Sequence, residues 1–200
     1  MADQMFRLES AANSALRWRN TPIPASRRVA RPMILVRTVI AAALSATAIT
    51  AAASAQTPTS RGSFSDWHVF TVESDRGLVC YALTQPTDST PSNVDHGEIF
   101  FIVSTWASGA AEEQPRFAAG YVLRPDSPPT ARVGSDRFPM FVTESDGFIE
   151  DRQDERRLVS AMRRGATMRV EATSQRGTAT AYEFSLSGVT AALERVESLC

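Results

Sequence analysis

The sequence predicts a mainly β protein: an antiparallel β-sandwich with one short internal helix and a C-terminal helix. Apolar and polar residues alternate in many short segments, turn residues separate these segments, and only two segments have helical spacing. A period of two is typical of a half-buried strand, and a period of 3.6 is typical of an amphipathic helix. The length of 200 residues allows one domain with an extension.

The last third of the chain predicts a β-hairpin followed by a helix. Alternating patterns over residues 168–173 and 182–187 flank a four-residue turn that ends at Gly177. Ser187 or Thr190 is the candidate N-cap of the helix. The apolar positions at helical spacing are Val189, Ala192, Leu193, Val196 and Leu199.

Upstream segments predict the remaining elements. Asp154 is expected to cap a short helix over residues 155–164, and Gly165 is expected to end it. Residues 84–97 are interpreted as a loop, and the acidic residues 144–155 as an exposed segment. The further predicted strands cover residues 64–72, 78–83, 99–103, 117–123 and 137–143.

The N-terminal third is interpreted as a targeting region. Residues 33–55 combine a basic flank, a short apolar run and the site Ala53-Ser54-Ala55, which predicts a secretory signal peptide cleaved between Ala55 and Gln56. A membrane anchor is the alternative, but the apolar run is shorter than a span requires. Residues 1–32 form an extension that is absent if translation starts at Met33. Otherwise it belongs to a twin-arginine signal around Arg27 and Arg28.

The charge of the exported part restricts its partners. From Gln56 onward the chain has 14 arginines and 20 acidic residues, a net charge of −6. This balance argues against nucleic acid or an anionic membrane as the partner. Residues 56–63 are interpreted as a linker, and residues 64–200 as the folded domain.

Cys80 and Cys200 are the two cysteines of the chain, and both lie in the exported part. An oxidising compartment favours a disulfide between them, and no other pairing exists. The alternative, a reactive redox pair, lacks the C-x-x-C spacing.

Candidate catalytic and metal-binding residues are few. His68 and His96 are the two histidines, and either could serve a hydrolase or a metal-dependent enzyme, although no nucleophile motif accompanies them. Acidic residues between Glu144 and Asp154 do not match a calcium loop. Arginines between Arg156 and Arg164 could bind an anionic lipid or glycan, or simply form a solvated helix face. We expect no cofactor and no bound metal.

Trp106 and Phe148 are the candidate contact residues for a partner. Each lies in a predicted loop, where recognition is common on a rigid sandwich. The alternative is that each side chain packs back over the rim of the sandwich.

Several short motifs resemble the invasion-associated locus B (IalB) family over residues 64–200. The resemblance implies an immunoglobulin-like β-sandwich in the periplasm or outer envelope of a Gram-negative bacterium, with no established catalytic residues. We therefore expect a non-enzymatic exported protein that binds another protein, from the envelope or from a host, or a surface glycan. The family takes its name from host-cell invasion, and residues 1–32 depart from its pattern. The matching motifs are Phe64-Ser-Asp-Trp67, Cys80-Tyr81, Gly120-Tyr121, Leu158-Val-Ser-Ala-Met162, Ser174-Gln-Arg-Gly-Thr178, Ser185-Leu-Ser-Gly188, Ala191-Ala-Leu193 and Cys200.

Overall fold

The structure, a computed structural model, describes residues 57–200. The predicted signal peptide and its cleavage site between Ala55 and Gln56 therefore lie outside the described residues. The strands are β1 (Thr59–Phe64), β2 (Trp67–Ser74), β3 (Gly77–Thr84), β4 (Asp88–Thr90), β5 (Phe100–Trp106), β6 (Gln114–Ala118), β7 (Thr130–Val133), β8 (Asp136–Pro139), β9 (Phe141–Thr143), β10 (Asp146–Phe148), β11 (Thr167–Thr173) and β12 (Ala179–Ser185). The helices of this part are α1 (Arg152–Arg164) and α2 (Val189–Leu199).

These strands form two antiparallel sheets. The seven-stranded sheet has the order β1-β2-β3-β5-β6-β10-β9, and the five-stranded sheet has the order β4-β12-β11-β7-β8. The predicted antiparallel sandwich with a short internal helix and a C-terminal helix is therefore confirmed.

The inner faces of the two sheets form the core between them. The ring of Phe101 on β5 lies 5.8 Å from that of Phe184 on β12, and Phe117 on β6 lies 5.6 Å from Tyr182. The indole nitrogen of Trp67 donates a hydrogen bond across the sheets to the carbonyl oxygen of Ser185, at 3.1 Å. Side chains alternate between the two faces of a strand, so every second residue of these strands points into the shared core.

Helix α2 packs on the inner face of the seven-stranded sheet, against β2 and β3. It starts after Gly188 rather than after Ser187 or Thr190, and Gly188 caps it without a side-chain hydrogen bond. A disulfide joins Cys200, which follows the helix, to the fully buried Cys80 of β3. The disulfide therefore holds the last turn of α2 against a central strand.

Helix α1 begins one turn earlier than predicted. The carboxylate of Asp151 accepts hydrogen bonds from the backbone N–H groups of Gln153 and Asp154, so Asp151 rather than Asp154 is the N-cap. The predicted end at Gly165 and the predicted buried residues are confirmed. Those buried residues are Leu158, Val159 and Met162.

The predicted linker over residues 56–63 is wrong, because most of it is the edge strand β1. Its side chains are largely exposed and show no apolar alternation. Pairing with β2 holds it instead, and the guanidinium of Arg61 donates to the hydroxyl of Thr71 at 2.8 Å. An edge strand that faces water on both sides gives little signal in a hydrophobic pattern.

The predicted strand over residues 137–143 is two strands in different sheets. β8 belongs to the five-stranded sheet and β9 to the seven-stranded sheet, with Met140 between them. The predicted strand over residues 117–123 is also shifted, because β6 ends at Ala118. Three strands of three or four residues, β4, β7 and β10, were not predicted, since segments this short hold little periodic information.

No helix within residues 57–200 is long and apolar enough to span a membrane.

Candidate functional site

The outer face of the seven-stranded sheet is rich in apolar side chains. Strand register sets this face: Val79 lies opposite Trp106, and Leu83 lies opposite Ile102, while the intervening Cys80 points into the core. We call this surface the apolar face. Its residues are Phe70, Val72, Val79, Tyr81, Leu83, Phe100, Ile102, Trp106, Phe141 and Phe148.

Both predicted contact residues lie on the apolar face, but they differ in exposure. Trp106 is half-buried at the end of β5. Phe148 is only 5% exposed, because the ring of Phe141 lies 5.7 Å from it on the edge strand. Phe141 itself is 40% exposed. Phe148 is therefore shielded, and Phe141 is the aromatic residue that this edge presents to solvent.

Polar residues interrupt the apolar face at His68, Ser104 and Gln114, and also at one ion pair. The guanidinium of Arg116 on β6 lies 3.8 Å from the carboxylate of Asp146 on β10. Nearby, Phe70 and Tyr81 stack with their ring centroids 5.7 Å apart. Burial raises the pKa of Tyr81, and the positive charge of Arg116 opposes that rise. Tyr81 is itself half-buried on this face.

The helices of the described chain pack elsewhere. The disulfide holds α2 on the inner side of the sheet, and the buried residues of α1 belong to the central core between the sheets. The apolar residues of both helices therefore pack into the core, and α1 borders the apolar face where Glu155 forms a hydrogen bond with Gln114 of β6.

His68 contacts a hydroxyl group on the surface. The Nδ1 atom of His68 lies 2.9 Å from the Oγ atom of Ser63, its partner across β1 and β2. Both residues are exposed, and no described residue forms a hydrogen bond with the Nε2 atom of His68. A nucleophile and a base are therefore adjacent, but the third group that orients the base in a catalytic triad is missing from residues 57–200.

His96 is part of a hydrogen-bonded chain at the edge of the core. Its Nδ1 atom lies 2.8 Å from the hydroxyl of Tyr182, and its Nε2 atom lies 3.0 Å from the carbonyl oxygen of Pro91. The hydroxyl of Tyr182 donates to that of Tyr121 at 3.0 Å, which lies 2.6 Å from the hydroxyl of Thr180. Burial raises the pKa of Tyr182 far above its ordinary value, and the hydrogen bond with Tyr121 adds to the shift.

Carbonyl oxygens accept at both ends of this chain, because Thr180 donates to the carbonyl oxygen of Ala172 at 3.2 Å. His96 therefore serves the structure at this site, and both its nitrogens are occupied by hydrogen bonds.

The acidic residues and the arginines of the α1 region mostly have partners within the chain. Asp151 caps the helix, and Asp154 pairs with Arg157, whose guanidinium also lies 5.6 Å from the ring centre of Phe138. Arg163 pairs with Glu113. No group of three or more His, Cys, Asp or Glu residues that could hold a metal occurs in residues 57–200.

Two of the motifs that resemble the IalB family contact each other. The backbone N–H of Asp66 donates to the carbonyl oxygen of Ser187 at 3.3 Å, beside the bond from Trp67 to Ser185. The segment 64–67 and the segment 185–188 thus form one structural unit that joins β1, β2, β12 and α2.

The fold and these contacts define a small, disulfide-bonded β-sandwich protein whose C-terminal helix packs on the inner face of one sheet. Residues 67–197 match the family model described as the invasion associated locus B (IalB) protein, and the chain belongs to this family. Comparisons with curated proteins and with solved structures gave no match.

Proposed function

We propose that the protein is a non-enzymatic protein, exported to the periplasm or outer envelope of a Gram-negative bacterium, that binds another protein through the apolar face. The apolar face carries this proposal. Contiguous apolar patches on soluble proteins commonly mark interaction sites, and aromatic residues are enriched in the energetically dominant part of interfaces. A disulfide and a signal-peptide pattern support export.

The composition of the apolar face favours a protein partner. Trp106, Phe141 and Tyr81 offer large side chains that need few rotatable bonds to be fixed, and the pair of Arg116 and Asp146 is already satisfied within the chain. A partner surface with a complementary apolar centre would therefore gain buried area without leaving a charge unpaired.

Site-specific photo-crosslinking tests this proposal in the exporting cell. A photoreactive phenylalanine analogue replaces Trp106 or Phe141, and the control replaces Val122, which is 46% exposed but lies outside the apolar face. We expect the same protein adduct from the two face positions and not from residue 122. Adducts of equal yield from all three positions, or adducts from residue 122 alone, would contradict the proposal.

A hydrolase is the second candidate, and it rests on the contact of 2.9 Å between Ser63 and His68. An activated serine reacts covalently with a fluorophosphonate probe, and the base beside it determines that reactivity. Labelling of Ser63 that is lost in a His68→Ala variant would favour the hydrolase. An unlabelled Ser63 would contradict the hydrolase.

A further inference from the structure

Five charged residues form one row across the outer face of the five-stranded sheet. Strand register aligns them directly: Glu183 lies opposite both Asp88 and Arg169, Arg169 opposite Arg132, and Arg132 opposite Arg137. Two acidic residues therefore occupy one side of the row, and three arginines occupy the other. Neighbouring strands are about 4.8 Å apart, so the three guanidinium groups can reach a common ligand.

The arginines of this row are not equally neutralised. Arg169 lies 3.2 Å from Glu171 and 3.3 Å from Glu183. Arg132 is half-buried and Arg137 is exposed, and neither forms an ion pair with any described residue. Like charges directly opposite each other destabilise a sheet. An anion bound between Arg132 and Arg137 would remove that repulsion.

A groove of about 480 Å³ lies beside the row on the same face. Its floor includes the small side chains of Ala179 and Ala181, and Arg169 and Glu171 neutralise each other at its side. Hydroxyl groups line much of the rest of the groove, and two of them, from Ser127 and Thr173, lie 3.0 Å apart. The residues that bring these hydroxyls are Thr90, Ser127, Thr130 and Thr173.

We propose that this face binds an anionic polysaccharide, with neutral sugar hydroxyls in the groove and acidic groups on Arg132 and Arg137. Guanidinium groups bind carboxylates in a bidentate manner, and a shallow groove lined by hydroxyls matches the hydrogen-bonding groups of a sugar ring. From Gln56 onward the chain has a net charge of −6, which disfavours a nucleic acid or a lipid surface held by charge alone. A polysaccharide that presents each carboxylate beside neutral hydroxyls would use the groove as well as the two arginines.

This site lies on the opposite sheet from the apolar face, so its test does not depend on the proposed protein partner. The test measures binding of a fluorescent hexagalacturonate, which has one carboxylate per sugar, to the purified protein. We expect Arg132→Gln and Arg137→Gln each to weaken binding about tenfold, since each removes one charge-assisted pair. Arg76→Gln removes the same charge from an exposed turn of the other sheet and is expected to have little effect.

Three further measurements distinguish recognition from general charge attraction. Arg137→Lys keeps the charge but loses the bidentate geometry, so binding should weaken as well. Ala179→Phe should weaken binding by filling the groove. Arg132→Gln should leave the melting temperature unchanged or higher, because it removes a like-charge contact.

The proposal is overturned if the double variant Arg132→Gln/Arg137→Gln retains wild-type affinity, or if Arg76→Gln weakens binding equally. Failure of the protein to bind hexagalacturonate overturns it too. Binding to phosphatidylglycerol vesicles with the same arginine dependence, but not to hexagalacturonate, would identify a lipid surface instead.

Discussion

Gly188 lies directly against the backbone of Phe64, so that a Cβ atom at residue 188 would overlap the carbonyl oxygen of Phe64. Its φ angle of 88° also lies in the left-handed region. Both conditions exclude a side chain at the point where the hairpin of β11 and β12 passes into α2.

Gly188→Ala should therefore destabilise the protein by more than the left-handed conformation alone, which costs about 1–2 kcal/mol for an L-residue. The matched control is Gly177→Ala, where φ is 90° but the added Cβ meets only the end of the Arg124 side chain, at 3.3 Å, rather than backbone. Urea unfolding followed by tryptophan fluorescence gives both free energies of unfolding. Equal losses in the two variants would show that the contact with Phe64 has no effect.

The disulfide should contribute substantially to stability. Cys200→Ser leaves Cys80 buried as a thiol and opens a crosslink that spans 120 residues. We expect the free energy of unfolding to fall by about 2–5 kcal/mol. Non-reducing peptide mapping of the exported protein should find the linked pair, and reductant should lower the stability of the wild type but not of the variant. Two freely alkylated thiols in the native protein would contradict the prediction.

Tyr182→Phe should lower the free energy of unfolding by about 1–3 kcal/mol, because it leaves the ring of His96 and the hydroxyl of Tyr121 without a shared partner. Tyr81→Phe is the matched control on the outer face. Chemical denaturation of both variants should show a clearly smaller loss for Tyr81→Phe. Similar losses would show that the hydrogen bonds of the Tyr182 hydroxyl do not increase the free energy of unfolding.

Glu155 should make the protein less stable as the pH rises. Burial raises the pKa of its carboxyl group, and a hydrogen bond with Gln114 and the charges of Arg152 and Arg156 oppose this rise. A raised pKa means that the folded state favours the protonated form of Glu155. The protonated carboxyl group therefore stabilises the fold fully below the ordinary pKa of 4.5. This stabilisation is lost as the pH rises through the higher pKa of the folded state.

Glu155→Gln, which stays neutral, should therefore be more stable than the wild type at pH 7, and the difference should shrink toward pH 4. Melting temperatures measured across that range give the comparison. A variant that is less stable at pH 7 would show that the ionised carboxylate is favourable at this site.

Export should remove the N-terminal region after Ala55, because the site Ala53-Ser54-Ala55 ends the apolar run. N-terminal sequencing of the protein from the envelope fraction should begin at Gln56. A mature protein that retains Met1 or Met33 would contradict this prediction, whichever residue starts translation.

The elements with strong periodicity were predictable from the sequence. The closing hairpin, α2 and the buried residues of α1 all follow from one-sided apolar patterns, and the pairing of Cys80 with Cys200 follows from their number. The edge strand β1 and the short strands β4, β7 and β10 escaped prediction, because backbone pairing with neighbouring strands holds them rather than apolar patterns of their own.

The candidate surfaces were less predictable, because both depend on register between distant segments. Trp106 was a candidate from its chemistry alone, but its place beside Val79 follows only from the pairing of β3 with β5. The alignment of Arg132, Arg137 and Arg169 likewise needs two register relationships that no local pattern specifies.

The change of sheet at Met140 has a mechanical consequence. Strands β8 and β9 belong to different sheets, and Met140 alone connects them. This short connection limits how far the two sheets can move apart at this corner. The bond from Trp67 to Ser185 restrains the sheets again on a distant strand pair. We therefore expect the two sheets to resist sliding past each other, because a connection of one residue and a hydrogen bond join them at two separate places.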